Sequence, residues 1–243
     1  MNPSLVRLGA LPLICAVMAL EVLMTHSNTF LFLSLNQATH ALPPYLWSNL
    51  TVLGDAALTP LCLLFWWRRR PDLLWAGLLT ALTAFLFSHG LKDFFNSPRP
   101  PAVLAVEVIG PRLLHGSFPS GHTTTLFSLA GLLILGLPLR HRGGMAALIL
   151  LACAGALSRI ALGVHWPLDV LVGAAGGWLS AGLGLAMAQR WPRAQRFGYP
   201  LALIILGALA IHGLTRGPDG LPGTYLMEKG WIILALVTAF LRR

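Results

Sequence analysis

The chain has 243 residues, of which 56% are hydrophobic and only 10% are charged, whereas an ordinary soluble domain carries roughly 25% charged residues. This composition excludes a water-soluble domain, a disordered chain and a small disulfide scaffold. The formal net charge of +9 comes from 17 Lys and Arg against 8 Asp and Glu. Membrane proteins collect Lys and Arg on their cytoplasmic loops, so this charge does not require a nucleic-acid partner.

Eight apolar runs follow one another along the chain, most of them near the length of about 20 residues that a helix needs to cross a bilayer. They cover residues 8–24, 50–67, 73–91, 123–139, 145–162, 168–188, 199–214 and 225–241. No convincing small-residue cleavage site follows the first run, which is interpreted as a retained span. The last run carries two charged residues near its start, Glu228 and Lys229, and either crosses the membrane or lies in its interface. The sequence predicts an all-α fold, a polytopic transmembrane helical bundle.

The basic residues predict on which side of the membrane each turn lies. Eleven of them fall at alternate turns, which eight crossings bring to one side: Arg7, Arg68, Arg69, Arg70, Arg140, Arg142, Arg190, Arg193, Arg196, Arg242 and Arg243. The positive-inside rule makes that side, and with it both termini, cytoplasmic. Tryptophans near the predicted span ends are interpreted as interfacial anchors, namely Trp66, Trp67, Trp75, Trp191 and Trp231. Three cysteines within apolar runs are interpreted as small buried hydrophobic residues: Cys15, Cys62 and Cys153.

Three polar clusters are predicted to lie on the opposite, outer face, where a membrane-embedded chain rarely carries ionisable residues without a function. The first consists of Lys92 and Arg99, the second is Pro119-Ser120-Gly121-His122, and the third contains Ser158, Arg159, His165 and Asp169. Two longer segments, residues 25–49 and 96–120, are predicted on the same face. The second of them, rich in Pro and Gly, is long enough to indicate a functional loop.

The residue types in these clusters are suited to binding a phosphate group. Arg99 and Arg159 can grip phosphate oxygens through paired N–H groups, and Lys92 can add a point charge. Ser120 can cap the helix that follows it, and Gly121 would let an anion approach the backbone N–H groups at the positive helix end. Three cations at one site favour a multiply charged anion.

The spacing of His165 and Asp169, four residues apart, would place the two side chains on one face of a helix. Asp169 could then hold the proton of one ring nitrogen and leave the other nitrogen free to attack. Taken singly, these residues would more often be structural: Lys92 a snorkelling side chain, Arg159 a helix cap or headgroup contact, and His165 a loop histidine. Their shared order, spacing and predicted side favour a catalytic site.

The region between Lys92 and Asp169 resembles the three-part signature of the type 2 phosphatidic acid phosphatase (PAP2) superfamily of membrane lipid phosphatases. The three motifs read here KDFFNSPRP, PSGH and SRIALGVHWPLD. The resemblance implies that His165 is the nucleophile forming a phosphohistidine, that Asp169 orients it and that His122 protonates the leaving oxygen. It also implies that the phosphoryl group is bound by Lys92, Arg99, Ser120, Gly121 and Arg159, and that no metal or other cofactor is needed. It implies a six-span core within residues 1–188, with residues 189–243 as additional C-terminal transmembrane or interfacial helices.

The leading hypothesis is a phosphatase that removes a terminal phosphate from a lipid at the non-cytoplasmic face of a bacterial inner membrane. The resemblance suggests undecaprenyl or another polyprenyl diphosphate, or a glycerolipid phosphate, as substrate. The alternatives are a lipid A phosphatase, a lipid-to-lipid phosphotransferase, and a non-catalytic protein that binds or moves lipids.

Several other ionisable residues have weaker assignments from position alone. Asp55 either pairs within the bundle or faces the site, and His89, one turn before Lys92, could line a cavity. Glu107, Arg112 and His115 lie in the long outer segment, where they could select a lipid headgroup.

Overall fold

The structure, a computed structural model, describes residues 3–137 and 142–241, with side chains from residue 8 onward. Within these ranges the chain forms ten α-helices and two short 3-10 helices, and no strand. The α-helices are α1 Pro3–Met24, α2 Asn28–Thr39, α3 Pro44–Val52, α4 Pro71–Phe95, α5 Pro100–Val103, α6 Gly121–Gly136, α7 Arg142–Ala161, α8 Pro167–Arg190, α9 Gln195–Thr215 and α10 Thr224–Leu241. The 3-10 helices are Thr59–Trp66 and Pro192–Ala194. The predicted all-α bundle is confirmed.

Fewer described helices than the eight predicted spans are by themselves long and apolar enough to cross a membrane. Four described segments are long and apolar enough to cross a membrane: Pro71–Val103, Arg142–Ala161, Pro167–Arg190 and Pro192–Thr215. A fifth span is possible if Leu8–Met24 and Asn28–Thr39, bent by 112° at their junction, count as one. Helix α6 is apolar but only 16 residues long. By length and composition, four described segments, or five with the bent pair, therefore qualify as crossings.

The prediction of a continuous span over residues 50–67 is wrong. Helix α3 ends at Val52, a turn follows, and the remainder forms the 3-10 helix Thr59–Trp66. The Asp55 carboxylate accepts hydrogen bonds from the backbone N–H groups of Ala57 and Leu58, at 2.8 and 3.1 Å, which favours a turn over helix continuation. Pro60 lacks the N–H group that a continuing α-helix would need.

Helix α8 lies at the centre of the bundle, parallel to α6 and antiparallel to α4. Glycines allow these backbones to approach closely, as small residues commonly do in membrane helix bundles. A Cβ atom at Gly177 would overlap the carbonyl oxygen of Thr124 in α6, and one at Gly184 would overlap the Thr80 side chain in α4. These close contacts fix α4, α6 and α8 relative to one another.

The helix contacts place the predicted basic turns at one end of the bundle. Arg70 donates a hydrogen bond of 3.0 Å to the Gly136 carbonyl at the end of α6, and Trp67 donates one of 2.8 Å to Ala239 near the end of α10. Leu8 lies against Gly182, near the end of α8 that carries Arg190. Three of the predicted cytoplasmic arginines, Arg140, Arg242 and Arg243, lie outside the described residues, as does the side chain of Arg7.

The prediction of three buried cysteines holds for two of them. Cys15 and Cys62 are buried, but Cys153 is exposed on α7. Its neighbours Leu150 and Leu151 are also exposed, 68% and 47%, which shows that this stretch of α7 faces away from the other helices. Sequence hydropathy alone could not separate burial in protein from contact with lipid, because both environments favour apolar residues.

Candidate active site

A cavity of about 490 Å³ opens at the end of the bundle opposite the basic turns. Six of the predicted site residues line it: Lys92, Arg99, Gly121, His122, Arg159 and His165. Its other walls come from the turn after α3, from α4 and from α6. The residues from the three sequence motifs are thus gathered around one space, although they are as much as 73 positions apart in the chain.

His165 and Asp169 form a buried pair behind this cavity. Helix α8 begins at Pro167, so His165 lies in the connection before the helix and Asp169 in its first turn. The Nδ1 atom of His165 is 3.2 Å from Oδ2 of Asp169, and each residue is only 2% exposed. The same carboxylate oxygen accepts a 2.9 Å hydrogen bond from the backbone N–H of Trp166. Asp169 is therefore held by the helix start and can in turn orient the imidazole ring.

The contacts of the second ring nitrogen indicate which tautomer His165 adopts. Nε2 of His165 is 3.2 Å from Nη1 of Arg99. A guanidinium group can only donate, so Nε2 must act as the acceptor and Nδ1 must carry the proton toward Asp169. Burial, together with the charges of Arg99, Arg159 and Lys92, holds the pKa of His165 well below its usual value. The histidine is consequently neutral, and its Nε2 lone pair points to the cavity side, where it accepts from Arg99 until that guanidinium turns to a bound phosphate.

Two of the three cations are anchored by backbone carbonyl groups, most of them in the segment 96–120. The Lys92 ammonium donates to the Gly116 carbonyl at 2.6 Å. Arg99 is buried, with only 7% of its surface exposed. It donates hydrogen bonds to the carbonyls of His115, Gly116 and Val164, at 2.9, 3.2 and 3.1 Å. Carbonyl groups orient these side chains without neutralising them, so their positive charges remain available to an anion.

Arg159 reaches the cavity from the end of α7 and is 7% exposed. Its Nη1 atom donates to the hydroxyl of Thr51, and its Nε atom has no hydrogen-bond partner among the described residues. Thr51 is a contact that the sequence motifs did not reveal, since it lies in α3, far outside them. A buried guanidinium with an unpaired N–H group is suited to binding a phosphate oxygen.

The PSGH motif forms the start of α6. Ser120 is the N-cap, and its side chain accepts a 3.4 Å hydrogen bond from the Thr123 N–H group. Ser120 is completely buried and does not line the cavity, so its side chain supports the helix start behind Gly121. A Cβ atom at Gly121 would lie 3.5 Å from the Ser88 hydroxyl and 3.9 Å from Cε of Lys92. His122 follows directly and faces the cavity.

Ser117 completes the polar shell and was missed by the sequence reasoning. This fully buried serine donates a hydrogen bond to Oδ2 of Asp169, the oxygen that His165 also contacts. Ser117 stands only two positions before the PSGH motif, but nothing in one sequence links it to a carboxylate 52 residues away. Asp169 therefore accepts hydrogen bonds from three donors: the Ser117 hydroxyl, the Trp166 N–H group and Nδ1 of His165.

Of the residues assigned from position alone, some lie at the cavity and others do not. His89 lines the cavity, but Asp55 does not, and the possibility that Asp55 faces the site is wrong. Its carboxylate is used by the turn that it caps and by Arg216, at 3.1 Å. Arg112 donates to the Pro101 carbonyl at 3.0 Å, and His115 contributes the carbonyl that orients Arg99.

A curated relative and two solved structures resemble this chain. The decaprenylphosphoryl-5-phosphoribose phosphatase of Mycobacterium tuberculosis is 38% identical over 133 residues, which is 54% of this chain and 65% of the relative. The match thus spans somewhat less than two thirds of that relative's length.

The crystal structure of LpxE from Aquifex aeolicus superimposes with a TM-score of 0.59 and 34% identity, covering 65% of this chain and 94% of that one. The PAP2 type phosphatidylglycerolphosphate phosphatase of Bacillus subtilis gives a TM-score of 0.55 and 25% identity, covering 76% and 97%. The family model of the PAP2 superfamily matches residues 72–193, which contain all three motifs and most of the cavity wall. The chain belongs to the PAP2 superfamily.

Proposed function

We propose that this protein is a membrane lipid phosphatase that acts through a phosphohistidine on His165. The observation that carries the proposal is the arrangement of His165, whose Nδ1 faces Asp169 while Nε2 faces a cavity lined by cations. A site that only bound phosphate would need the cations but not an oriented, neutral imidazole. The buried pair therefore favours catalysis over a non-catalytic lipid-binding role.

In the proposed first step, Nε2 of His165 attacks phosphorus while Lys92, Arg99 and Arg159 stabilise the charge on the equatorial oxygens. The phosphorus–oxygen bond to the lipid breaks, and His122 supplies the proton to the leaving oxygen. The negative charge of the bound phosphate offsets the three cations and favours the protonated form of His122 in the complex. His122, now neutral, then accepts a proton from water, which attacks the phosphohistidine and releases inorganic phosphate. Gly121 would bring the backbone at the start of α6 close to the phosphoryl group, with Ser120 supporting it.

The cations also bear on cofactor use. A divalent metal ion entering this cavity would meet the positive charges of Lys92, Arg99 and Arg159, and repulsion would oppose its binding. The charge stabilisation that metals give to many phosphoryl transfers is here supplied by side chains. We therefore propose a metal-independent reaction.

The proposed substrate is a lipid with a terminal phosphate, either a polyprenyl carrier such as undecaprenyl diphosphate or a glycerolipid phosphate. Support comes from the apolar part of the cavity, which continues past the cations along Ala84, Leu129 and Leu132. It also comes from the relatives named as a decaprenylphosphoryl-5-phosphoribose phosphatase and a phosphatidylglycerolphosphate phosphatase, since both names describe phosphatases of phosphorylated lipids. The basic turns at the opposite end favour a cytoplasmic location for that end, with the site facing outward from a bacterial inner membrane. Residues 1–188 would form the phosphatase core in this arrangement.

Release of inorganic phosphate by purified protein in detergent tests the proposal. The substrates are undecaprenyl diphosphate, phosphatidylglycerol phosphate, phosphatidate and lipid A, each assayed with and without a chelator. We expect turnover of at least one lipid in chelator, and loss of it in His165→Ala but not in the matched control His40→Ala, an exposed residue outside the cavity. Activity abolished by the chelator would contradict the metal-independent reaction, and an active His165→Ala would contradict the nucleophile. Transfer of labelled phosphate to an acceptor lipid instead of water would identify a phosphotransferase.

A further inference from the structure

The end of α3 and the turn that follows it, residues 51–55, contact two of the proposed site residues and lie outside the segment matched by the family model. Thr51 accepts the hydrogen bond from Nη1 of Arg159. Gly54 packs against His122 so closely that a Cβ atom there would lie 2.8 Å from the His122 carbonyl oxygen and 3.0 Å from its Cβ. A short backbone hydrogen bond, from Gly54 N–H to the Thr51 carbonyl at 2.9 Å, connects the two contacts.

The next residue in this turn, Asp55, is tied to the C-terminal part of the chain. Its Oδ2 atom is 3.1 Å from Nη1 of Arg216, which follows α9. Arg216 also pairs with Glu228 of α10, at 3.0 Å from Nη2 and 3.2 Å from Nε. Glu228 is only 1% exposed, so both carboxylates meet one guanidinium in a partly or fully buried setting.

Arg216 is itself held in place by α10. The Lys229 ammonium donates to the carbonyls of Gly213, Leu214 and Arg216 at 2.6, 3.1 and 2.7 Å, which closes the end of α9. Trp231, in the same helix, donates to the Leu58 carbonyl at 3.3 Å, just after the turn. The α9–α10 pair thus holds the turn through both charge and backbone contacts.

From these contacts we infer that Arg216 and Asp55 are positioning residues for the active site: the α9–α10 pair, through Arg216, Asp55 and Gly54, sets the place of His122. Neither Arg216 nor Asp55 lines the cavity, so their effect passes through the turn and not through contact with the substrate. A partly buried ion pair restricts geometry more firmly than an exposed one, because solvent competes less for its members. The inference rests on the proposed phosphatase function and gives the additional helices a role in it.

Two substrates with different leaving groups can distinguish a displaced His122 from a general loss of structure in a variant. A lipid phosphate monoester such as phosphatidate releases an alkoxide, which needs a proton, whereas p-nitrophenyl phosphate releases an anion that is stable without one. Well-placed acid catalysis contributes about 10²–10⁴-fold to a rate. A displaced His122 should therefore lower kcat/KM for the lipid phosphate and leave that for the aryl phosphate nearly unchanged.

The experiment measures kcat/KM for a phosphate monoester lipid, phosphatidate or phosphatidylglycerol phosphate, and for p-nitrophenyl phosphate. The proteins are wild type, Arg216→Gln, Gly54→Ala and the control Arg193→Gln, an exposed arginine at the opposite end. Partial loss of the acid contribution should lower lipid turnover by about tenfold or more in the first two variants, with the aryl phosphate changed by less than about twofold. Arg216→Lys should restore part of the loss, and the control should match wild type.

Three results would separate the possible failures. Equal losses on both substrates, or no loss in Gly54→Ala, would overturn the positioning role while leaving the phosphatase function intact. If Arg216→Gln yields too little folded protein, Asp55→Asn decides, since it removes the charge that faces Arg216 and keeps the Oδ1 acceptor for the backbone N–H groups of the turn. A wild-type protein that hydrolyses neither substrate would remove the proposed function, and this inference with it.

Discussion

Replacing Ser117 by alanine should weaken catalysis without dismantling the site. Ser117 is one of three donors to Oδ2 of Asp169, beside the Trp166 N–H group at 2.9 Å and Nδ1 of His165 at 3.2 Å. Removing the hydroxyl leaves the carboxylate with two hydrogen-bond donors, and these still stabilise most of its buried negative charge. The change acts on the orientation of Asp169, and through it on the nucleophile.

The size of the effect follows from the kind of bond that is lost. A hydrogen bond to a charged group contributes about 1.5–3 kcal/mol. Full expression of that energy in the transition state would lower kcat by about 10–150-fold, because 1.36 kcal/mol corresponds to a factor of ten. Two donors remain on Asp169, so we expect a loss near the lower end, about tenfold in kcat with little change in KM.

The assay is steady-state phosphate release by the purified protein, with thermal unfolding measured in parallel. Ser48→Ala is the matched control, since Ser48 is also completely buried but donates only to the Pro44 carbonyl within α3, at 3.1 Å. Both variants should stay folded, with the larger loss of stability in Ser117→Ala because its partner is charged, and only Ser117→Ala should lose activity. Equal kcat values for Ser117→Ala and Ser48→Ala would refute the proposed role of the Ser117–Asp169 bond.

Two further predictions concern helix packing and pH. Gly177→Ala places a Cβ atom against the Thr124 carbonyl oxygen, and such overpacking should destabilise the bundle by about 1–3 kcal/mol; thermal unfolding in detergent should show a lower midpoint for it than for Gly207→Ala, which has open space. Because the pKa of His165 is lowered by burial and by neighbouring cations, the imidazole stays neutral as the pH falls past the ordinary histidine value of about 6.5. The acidic limb of kcat/KM for p-nitrophenyl phosphate should therefore lie below that pH, and an apparent pKa at or above it would contradict a neutral, buried nucleophile.

The fold was predictable from the sequence to the extent that local patterns determine it. The apolar runs located α1, α4 and α6 to α10 to within a few residues, because each needs an apolar surface along its length. The prediction of a span over residues 50–67 was wrong because hydropathy gives no information about turns. Asp55 caps that turn with its side chain, and Pro60 cannot donate to a continuing helix.

Residue types and their spacing were enough to predict which residues could bind and transfer a phosphate, since His165 and Asp169 lie four residues apart and Ser120 stands just before an apolar run. Only the tertiary structure decided which atoms meet. It brings Arg99 to Nε2 of His165, Ser117 to Asp169, and Arg216 to the turn beside His122. These contacts join positions 52 to 161 residues apart, and such distances depend on how α4, α6 and α8 pack. Packing of this kind comes from the whole chain, and short motifs do not encode it.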